Sequence, residues 1–540
     1  MKRGTFMRTL LLITVILITA STGSAATYFV DYSSGSDTRS GNSKDSAWQK
    51  CPGMAGFSGA YNHAPGDVFI LKGGVVWPAA ACPLTIANSG IAGNIDTYTT
   101  DHAWYSGAAW SQPTLDGELT SRTVLYGCDK GFFKINDLRI INAGSLAANG
   151  IKGVELADCD NMELCNNTFA PESWGCIYIW TSKSKMFNNY LIHHNDISKC
   201  AFGVRVVPSG PSSIINNVQV YNNTLHDFHS QLSGEVHGDG IQHYCSPDVA
   251  ASYDRYITGF KIFNNTFTGD FTQVAGSTGA MTALIYLSCA STGVEIYNNV
   301  FAPVTTGTQS PNFFESFISL RDNPNRGGSH KIYNNTFVTR VPDGQAAAIL
   351  EDDSRLPSPN LSVKNNIFSG FQWPFDLRSV SDTFDYNNVC FTKNVGKWAG
   401  SWVETFSDWQ KLGNDIHGIS TDPQFVSSTD FHLGPASPCI NRGAVLDAIY
   451  AVDHDGQVRP LSTPFDLGAF ETVKRTTDVQ EKPVPAIIKA PSTAVGANAR
   501  VFDLKGRLVN SAENNTASRS RLLVIVPKGK QAFVRPAVKR

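Results

Sequence analysis

The chain has 540 residues, 42% of them hydrophobic and 17% charged, so it can bury a large core and is not a disordered polymer. The formal net charge of -2 conceals a segregation, because residues 27–473 hold 27 Lys/Arg against 42 Asp/Glu while residues 474–540 hold 14 against four. A body this acidic excludes nonspecific nucleic-acid binding.

At the start, Lys2, Arg3 and Arg8 precede the apolar run Leu10 to Ala20, and Ser24-Ala25-Ala26 supplies small residues at cleavage spacing. Residues 1–26 are therefore expected to be a secretory signal peptide. The alternative is an N-terminal membrane anchor, against which stands a run shorter than the roughly 20 residues that span a bilayer. No later segment approaches that length, so no transmembrane segment is expected after cleavage. The 11 cysteines include no C-x-x-C pair. Cys159 with Cys165 and Cys176 with Cys200 are candidate disulfides, buried free thiols are the alternative, and no zinc site is expected.

The body opens with Tyr28-Phe-Val-Asp31, Gly35-Ser-Asp37, Ala47-Trp48 and Pro65-Gly-Asp-Val-Phe-Ile-Leu-Lys-Gly73. One phrase then recurs: Leu164-Cys-Asn-Asn-Thr-Phe169, Met186-Phe-Asn-Asn-Tyr190, Val220-Tyr-Asn-Asn-Thr-Leu225, Ile262-Phe-Asn-Asn-Thr-Phe267, Ile296-Tyr-Asn-Asn-Val-Phe301, Ile332-Tyr-Asn-Asn-Thr-Phe337, Val363-Lys-Asn-Asn-Ile-Phe368 and Phe384-Asp-Tyr-Asn-Asn-Val389. Its first Asn falls at 166, 188, 222, 264, 298, 334, 365 and 387, giving spacings of 22, 34, 42, 34, 36, 31 and 22. Such spacing describes a constant coil that carries loops of varying length. In each phrase an apolar residue enters the core, Asn turns the chain, and Phe or Val returns inward. Asn tolerates left-handed backbone, and stacked Asn amides can hydrogen-bond from coil to coil. Read as glycosylation sequons, the Asn-x-Thr triplets would not need this period.

A short strand precedes each turn: Cys176–Trp180, Gly203–Val207, Gly240–Tyr244, Leu284–Ser288, Phe317–Arg321 and Ile349–Asp353. Alternating strands once per repeat, without helical periodicity, predict an all-β parallel solenoid. Farther on stand Asp422-Pro-Gln-Phe-Val426, Asp430-Phe-His-Leu433, Ser437-Pro-Cys-Ile440, Asp453-His-Asp-Gly456 and Phe465-Asp-Leu-Gly-Ala-Phe-Glu471, read as caps. Over residues 27–473 the sequence resembles the right-handed parallel β-helix proteins of the pectate-lyase-like superfamily. The resemblance is specific for fold and far less so for chemistry. Residues 474–498, rich in Pro, Ala, Thr and Lys, read as a linker. Residues 499–540, with Val501-Phe-Asp-Leu-Lys-Gly-Arg-Leu-Val509 and Leu522-Leu-Val-Ile-Val526, form a small strand-rich module. It resembles the C-terminal sorting domains of type IX bacterial secretion, which implies a secretion-machinery partner and a secreted or cell-surface protein. A poorly ordered basic extension is the alternative. Nothing signals oligomerisation, and a monomer is expected.

Aligning the short strands on Ile177, Val204, Ile241, Ile285, Ile318 and Leu350 turns alternate side chains outward. One outward row then reads Tyr178, Arg205, Gln242, Tyr286, Ser319 and Glu351, and the next reads Trp180, Val207, Tyr244, Ser288, Arg321 and Asp353. Rings that stack on sugars and polar groups that orient them suit an extended polysaccharide, with Tyr178, Trp180, Gln242, Tyr286 and Glu351 as binding residues. A solvated sheet face without a ligand is the alternative. A slip of one residue would turn a row inward.

The densest polar cluster is Glu235-Val-His-Gly-Asp-Gly-Ile-Gln-His-Tyr244. Polygalacturonases of the superfamily carry a similar Asn-Thr-Asp-Gly-Ile-Asp stretch, which implies a catalytic Asp239; a turn-stabilising Asx residue is the plainer reading. The segment Thr282 to Cys289 lacks that family's paired aspartates, and its Gly-His-Gly and Arg-Ile-Lys motifs are absent. Hydrolysis would need a second carboxylate such as Glu235, Glu351 or Asp352. The superfamily's other reaction is β-elimination on uronate polymers. Arg205 and Arg321 would neutralise the uronate carboxylate, with or without Ca²⁺ held by Glu351, Asp352 and Asp353, and His237, Tyr244 or an activated Arg/Lys would move the proton. His237 is otherwise an ordinary turn residue. Family lyases often place a lysine on this face, and these rows contain none. The function expected is a secreted polysaccharide lyase acting on a uronate-containing glycan, the alternatives being an inverting glycoside hydrolase and a noncatalytic glycan-binding adhesin.

Overall fold

A pair of asparagines sets the geometry of each coil. The first takes the left-handed backbone, with φ of 57° at Asn166, 54° at Asn222 and 55° at Asn264, where the short polar side chain lowers the usual steric penalty. The second points inward and joins a buried ladder. The backbone N–H and the side-chain amide of Asn167 both donate to Asn195 Oδ1, at 3.0 and 3.1 Å. The same two bonds link Asn195 to Asn223, Asn223 to Asn265, Asn265 to Asn299, Asn299 to Asn335, Asn335 to Asn366 and Asn366 to Asn387. Asp415 ends the series by accepting from Asn387 at 3.0 and 2.8 Å. The ladder spacings are 28, 28, 42, 34, 36, 31 and 21 residues, with Asp415 a further 28 along.

One phrase was misplaced by sequence. Met186-Phe-Asn-Asn-Tyr190 lies inside a strand, Met186–His193, and the turn of that coil is His194-Asn195, with His194 at φ 54°. Asn189 belongs instead to a second, shorter ladder, in which its amide reaches Asn161 Oδ1 and receives the amide of Asn217.

The computed structural model describes residues 24–144, 150–229, 238–245, 254–271, 281–304, 314–320, 329–340, 346–351, 360–460, 463–472, 499–502 and 524–527. The chain divides into two compact units, 1–473 and 474–540. In the first, three long sheets form a parallel β-helix, each strand pairing with the strand one coil later. The first sheet runs from Thr27–Val30 to Thr383–Asp385, the second from Leu84–Ile86 to Ser401–Val403, and the third from Val76–Trp77 to Asn388–Phe391. Pairing is parallel throughout these sheets except between Gly396–Trp398 and Ser401–Val403. In the second unit Ala499–Phe502 pairs antiparallel with Val524–Pro527. Among the described residues no helix is long and apolar enough to cross a membrane.

The interior is a stack of columns. Phe267, Phe301, Phe337 and Phe368 lie face to face with centroids 4.8, 4.6 and 4.8 Å apart, as one residue type repeated at one register position requires. Trp48, fully buried and stacked on Tyr28 at 4.7 Å, covers the first coils. At the far end a short helix, Phe406–Lys411, capped by Thr405, inserts Trp409 against Phe375 and Trp398. The segments expected to close the end instead lie along the flank. Phe431 and Phe470 cover Val300 and Ala302, Tyr450 wedges against Tyr297 and Tyr333, and Asn298 donates to Val452 O at 2.6 Å. Apolar residues on the outer side of those coils demand this cover.

The structure decides between the two readings of the cysteines for buried free thiols, and adds a disulfide elsewhere. Cys245 and Cys289 form a disulfide, whereas Cys159, Cys165, Cys176 and Cys200 are buried free thiols. The bonded pair directly follows the matched residues Tyr244 and Ser288, so stacking brings the two sulfurs together although 44 residues separate them in sequence.

Candidate functional site

The candidate site lies on the outer face of the second sheet. Val154, Ile177, Val204, Ile241, Ile285, Ile318 and Ile349 form one matched column of that sheet and are all core residues. Their successors therefore face out: Glu155, Tyr178, Arg205, Gln242, Tyr286, Ser319 and Leu350, directly opposite one another in successive strands about 4.8 Å apart. Each strand bends just before this column. A Cβ on Gly240 would meet the Phe267 ring at 3.0 Å, and one on Gly203 would meet Phe228 at 2.8 Å, so both glycines face the core. The bend turns the preceding residues outward as a second column: Lys152, Gly175, Phe202, Asp239, Ala283 and Ser316.

Arg205 is the centre of this wall. Its guanidinium carbon lies 4.4 Å from the ring centre of Tyr244, 4.7 Å from Phe202, 4.9 Å from Trp174 and 5.8 Å from Tyr178. Rings stabilise the cation through their faces, and Asp239 adds an attractive charge. Burial nevertheless lowers the Arg205 pKa and, for the same reason, raises that of Tyr178. No hydrogen bond or ion pair reaches Arg205 among the described residues, and its Nε is buried without a partner. Gln242 Oε1 and Ser319 Oγ, in the same row, are also buried and unpartnered. Asp239 is fully buried and accepts the Ala283 N–H at 3.0 Å.

The structure brings in residues that the strand alignment missed. Lys152 Nζ lies 4.8 Å from the Tyr178 ring centre and 3.4 Å from Glu155. Glu155 is the other: Trp180, matched with Val207 in the next row as expected, donates its indole N–H to it at 3.1 Å. The signal was available, since Lys152-Gly-Val-Glu-Leu-Ala157 precedes the Asn166 turn just as the later strands precede theirs.

One predicted residue is displaced. Ser319 is matched with Leu350 and Leu320 with Glu351, so Glu351 falls one place off the outer row and into the buried column of Ile179, Val206, His243 and Leu287. There one carboxylate oxygen accepts the N–H groups of Arg378 and Ser379 at 2.9 and 3.0 Å. Burial raises the Glu351 pKa; burial first and the facing Glu351 second push Asp382 up to about 8. Such an inward, proton-sharing carboxyl fits neither the sugar-binding role nor the calcium role expected for Glu351, because calcium takes ionised oxygens. Tyr178, Arg205, Asp239, Gln242, Tyr244 and Tyr286 share the outer wall. His237, Arg321, Asp352, Asp353 and Glu235 lie outside the described residues.

No protein-family model and no curated protein matches the chain. Among solved structures it is similar to pectate lyase Pel9A, with a TM-score of 0.46 and 14% identity over 84% of this chain and 97% of that one. A rhamnogalacturonan lyase aligns with a TM-score of 0.37 and 14% identity over 75% and 91%. An alginate lyase from Paenibacillus sp. str. FPU-7 aligns with a TM-score of 0.36 and 17% identity over 64% and 93%. At these identities the likeness is one of fold.

Proposed function

We propose that the protein is a polysaccharide lyase that cleaves a uronate-containing glycan by β-elimination along the outer wall of the second sheet. The observation that carries this reading is the half-buried Arg205 guanidinium, set among aromatic rings with its Nε buried and unpartnered, in one row with the buried, unpartnered polar atoms of Gln242 and Ser319. Each such group costs about 1–3 kcal/mol when left dry and unsatisfied, and a sugar carrying a carboxylate and hydroxyls supplies what all three lack. Arg205 receives the carboxylate in a two-point bond, which acidifies the neighbouring C5 proton. Asp239, beside it, takes that proton; the C5–H electrons form the C4–C5 double bond, and the C4–O electrons leave with the oxygen, which Tyr244 protonates. Lys152, 3.4 Å from Glu155, offsets that carboxylate at one end of the row, which would otherwise repel a polyanion.

This reading takes the protein as exported and monomeric, and N-terminal sequencing of the mature chain checks cleavage after Ala26. The enzymatic test incubates the protein with pectate, alginate and rhamnogalacturonan, following ultraviolet absorbance of the unsaturated product alongside release of reducing ends. Elimination raises both signals. Reducing ends without absorbance would replace this reading with hydrolysis, and retention on glycan columns with neither signal would make the protein an adhesin.

A further inference from the structure

A different wall of the coil carries a second chemical cluster. Glu163 and Cys165 lie two residues apart on one strand of the first sheet, Asp160–Cys165, and so share a face. The next strand, Met186–His193, places His193 directly opposite Cys165. Glu163 Oε1 lies 3.2 Å from His193 Nε2 and 3.3 Å from Cys165 Sγ, and the three ligand atoms all fall within 4.8 Å of one another. Among the described residues this is the one such trio.

We infer that Glu163, Cys165 and His193 form a binding site for a divalent ion of zinc type, apart from the glycan wall. Bonds of about 2.0–2.2 Å to nitrogen and oxygen and about 2.3 Å to sulfur place neighbouring ligands of a tetrahedral ion about 3.3–3.6 Å apart. The two measured separations are already close to that. Mixed thiolate, imidazole and carboxylate donors select zinc-like ions over calcium or magnesium. The imidazole is held in place, stacked on Tyr221 at 4.6 Å with its Nδ1 2.8 Å from His194 Nδ1. Three protein ligands leave a fourth position for water or another ligand. Binding takes Cys165 as its thiolate, the thiol proton passing to solvent. Lys134 competes, its ammonium 2.7 Å from Glu163 Oε1, and must yield that oxygen to the ion.

The test uses the full-length protein, stripped with a chelator and titrated with Zn²⁺ alone and then Co²⁺ alone, with far-ultraviolet circular dichroism confirming that each variant is folded. One ion per chain is expected, and the cobalt form shows a thiolate-to-metal charge-transfer band. Cys165→Ser abolishes that band, His193→Ala weakens Zn²⁺ binding by more than the roughly 10–100-fold that loss of an outer-shell partner costs, and Cys390→Ser, at a half-buried thiol of the third sheet, leaves both unchanged. Lys134→Gln tightens binding, which a purely structural hydrogen-bond network does not predict. Absence of the band in the unaltered protein, or an affinity indifferent to Cys165→Ser and His193→Ala, overturns the site.

Discussion

Arg205 is surrounded on several sides by aromatic rings, and among the described residues it has no anionic partner in hydrogen-bond contact. Arg205→Ala is expected to lower kcat/KM by the equivalent of about 2–4 kcal/mol, roughly 30- to 1,000-fold, through loss of a desolvated charge pair. Steady-state kinetics on a uronate polymer check this; wild-type values would remove Arg205 from the site. Asp239→Asn is expected to abolish turnover without unfolding, since an amide oxygen still accepts the Ala283 N–H. Asn299 illustrates the structural side. Its Oδ1 receives two bonds from Asn265, and its amide reaches Ile262 O and Asn335 Oδ1. Asn299→Ala orphans buried groups on both sides and is expected to cost about 2–4 kcal/mol in urea unfolding. Asn299→Asp keeps the acceptor but sets a second oxygen against Ile262 O and Asn335 Oδ1, where Asp415 has the Trp409 N–H, so it should cost at least as much.

Register decides what an element contributes. Tyr178, Arg205, Gln242, Tyr286 and Ser319 were legible as one row because Ile177, Val204, Ile241, Ile285 and Ile318 each mark the inward position. The next strand, Ala347-Ala-Ile-Leu-Glu351, offers small and apolar residues without alternation, so its register could not be fixed and Glu351 was assigned one place out. Its inward carboxyl has a consequence. The unfolded chain releases the Asp382 proton near the ordinary carboxyl value of 3.8, while the folded chain keeps it to about 8. The unfolded state therefore binds fewer protons across that window, and stability from this pair falls as pH rises from about 4 to 8, by up to about 1.4 kcal/mol per pH unit. Asp382→Asn should flatten that slope in thermal melts taken across the same range. The Cys245–Cys289 bond closes a 44-residue separation across two site strands; replacing both with Ser is expected to cost about 2–4 kcal/mol through the freer unfolded chain.

At the scale of the molecule, one repeated turn organises everything else. The coil was legible because Asn-Asn recurs with an apolar residue on each side, and the misplaced Asn188-Asn189 shows the limit of that signal: the same pair also serves a left-handed residue inside a strand. The disulfide and the Glu163–Cys165–His193 trio were invisible for a different reason, since each depends on which coil stacks on which. Lys152 was less legible because its strand, Lys152-Gly-Val-Glu-Leu-Ala157, buries two neighbouring residues at a time and so lacks a plain alternation. What the fold supplies is a straight wall on which Lys152, Arg205, Asp239 and Gln242, widely separated in sequence, share one surface. The most direct test of that surface as a glycan trough is a crystal of the Asp239→Asn variant soaked with a uronate oligosaccharide. The account predicts a sugar carboxylate hydrogen-bonded to Arg205, with hydroxyls on Gln242 and Ser319. A sugar bound on another wall, or one that leaves Arg205 without an anion, would contradict it.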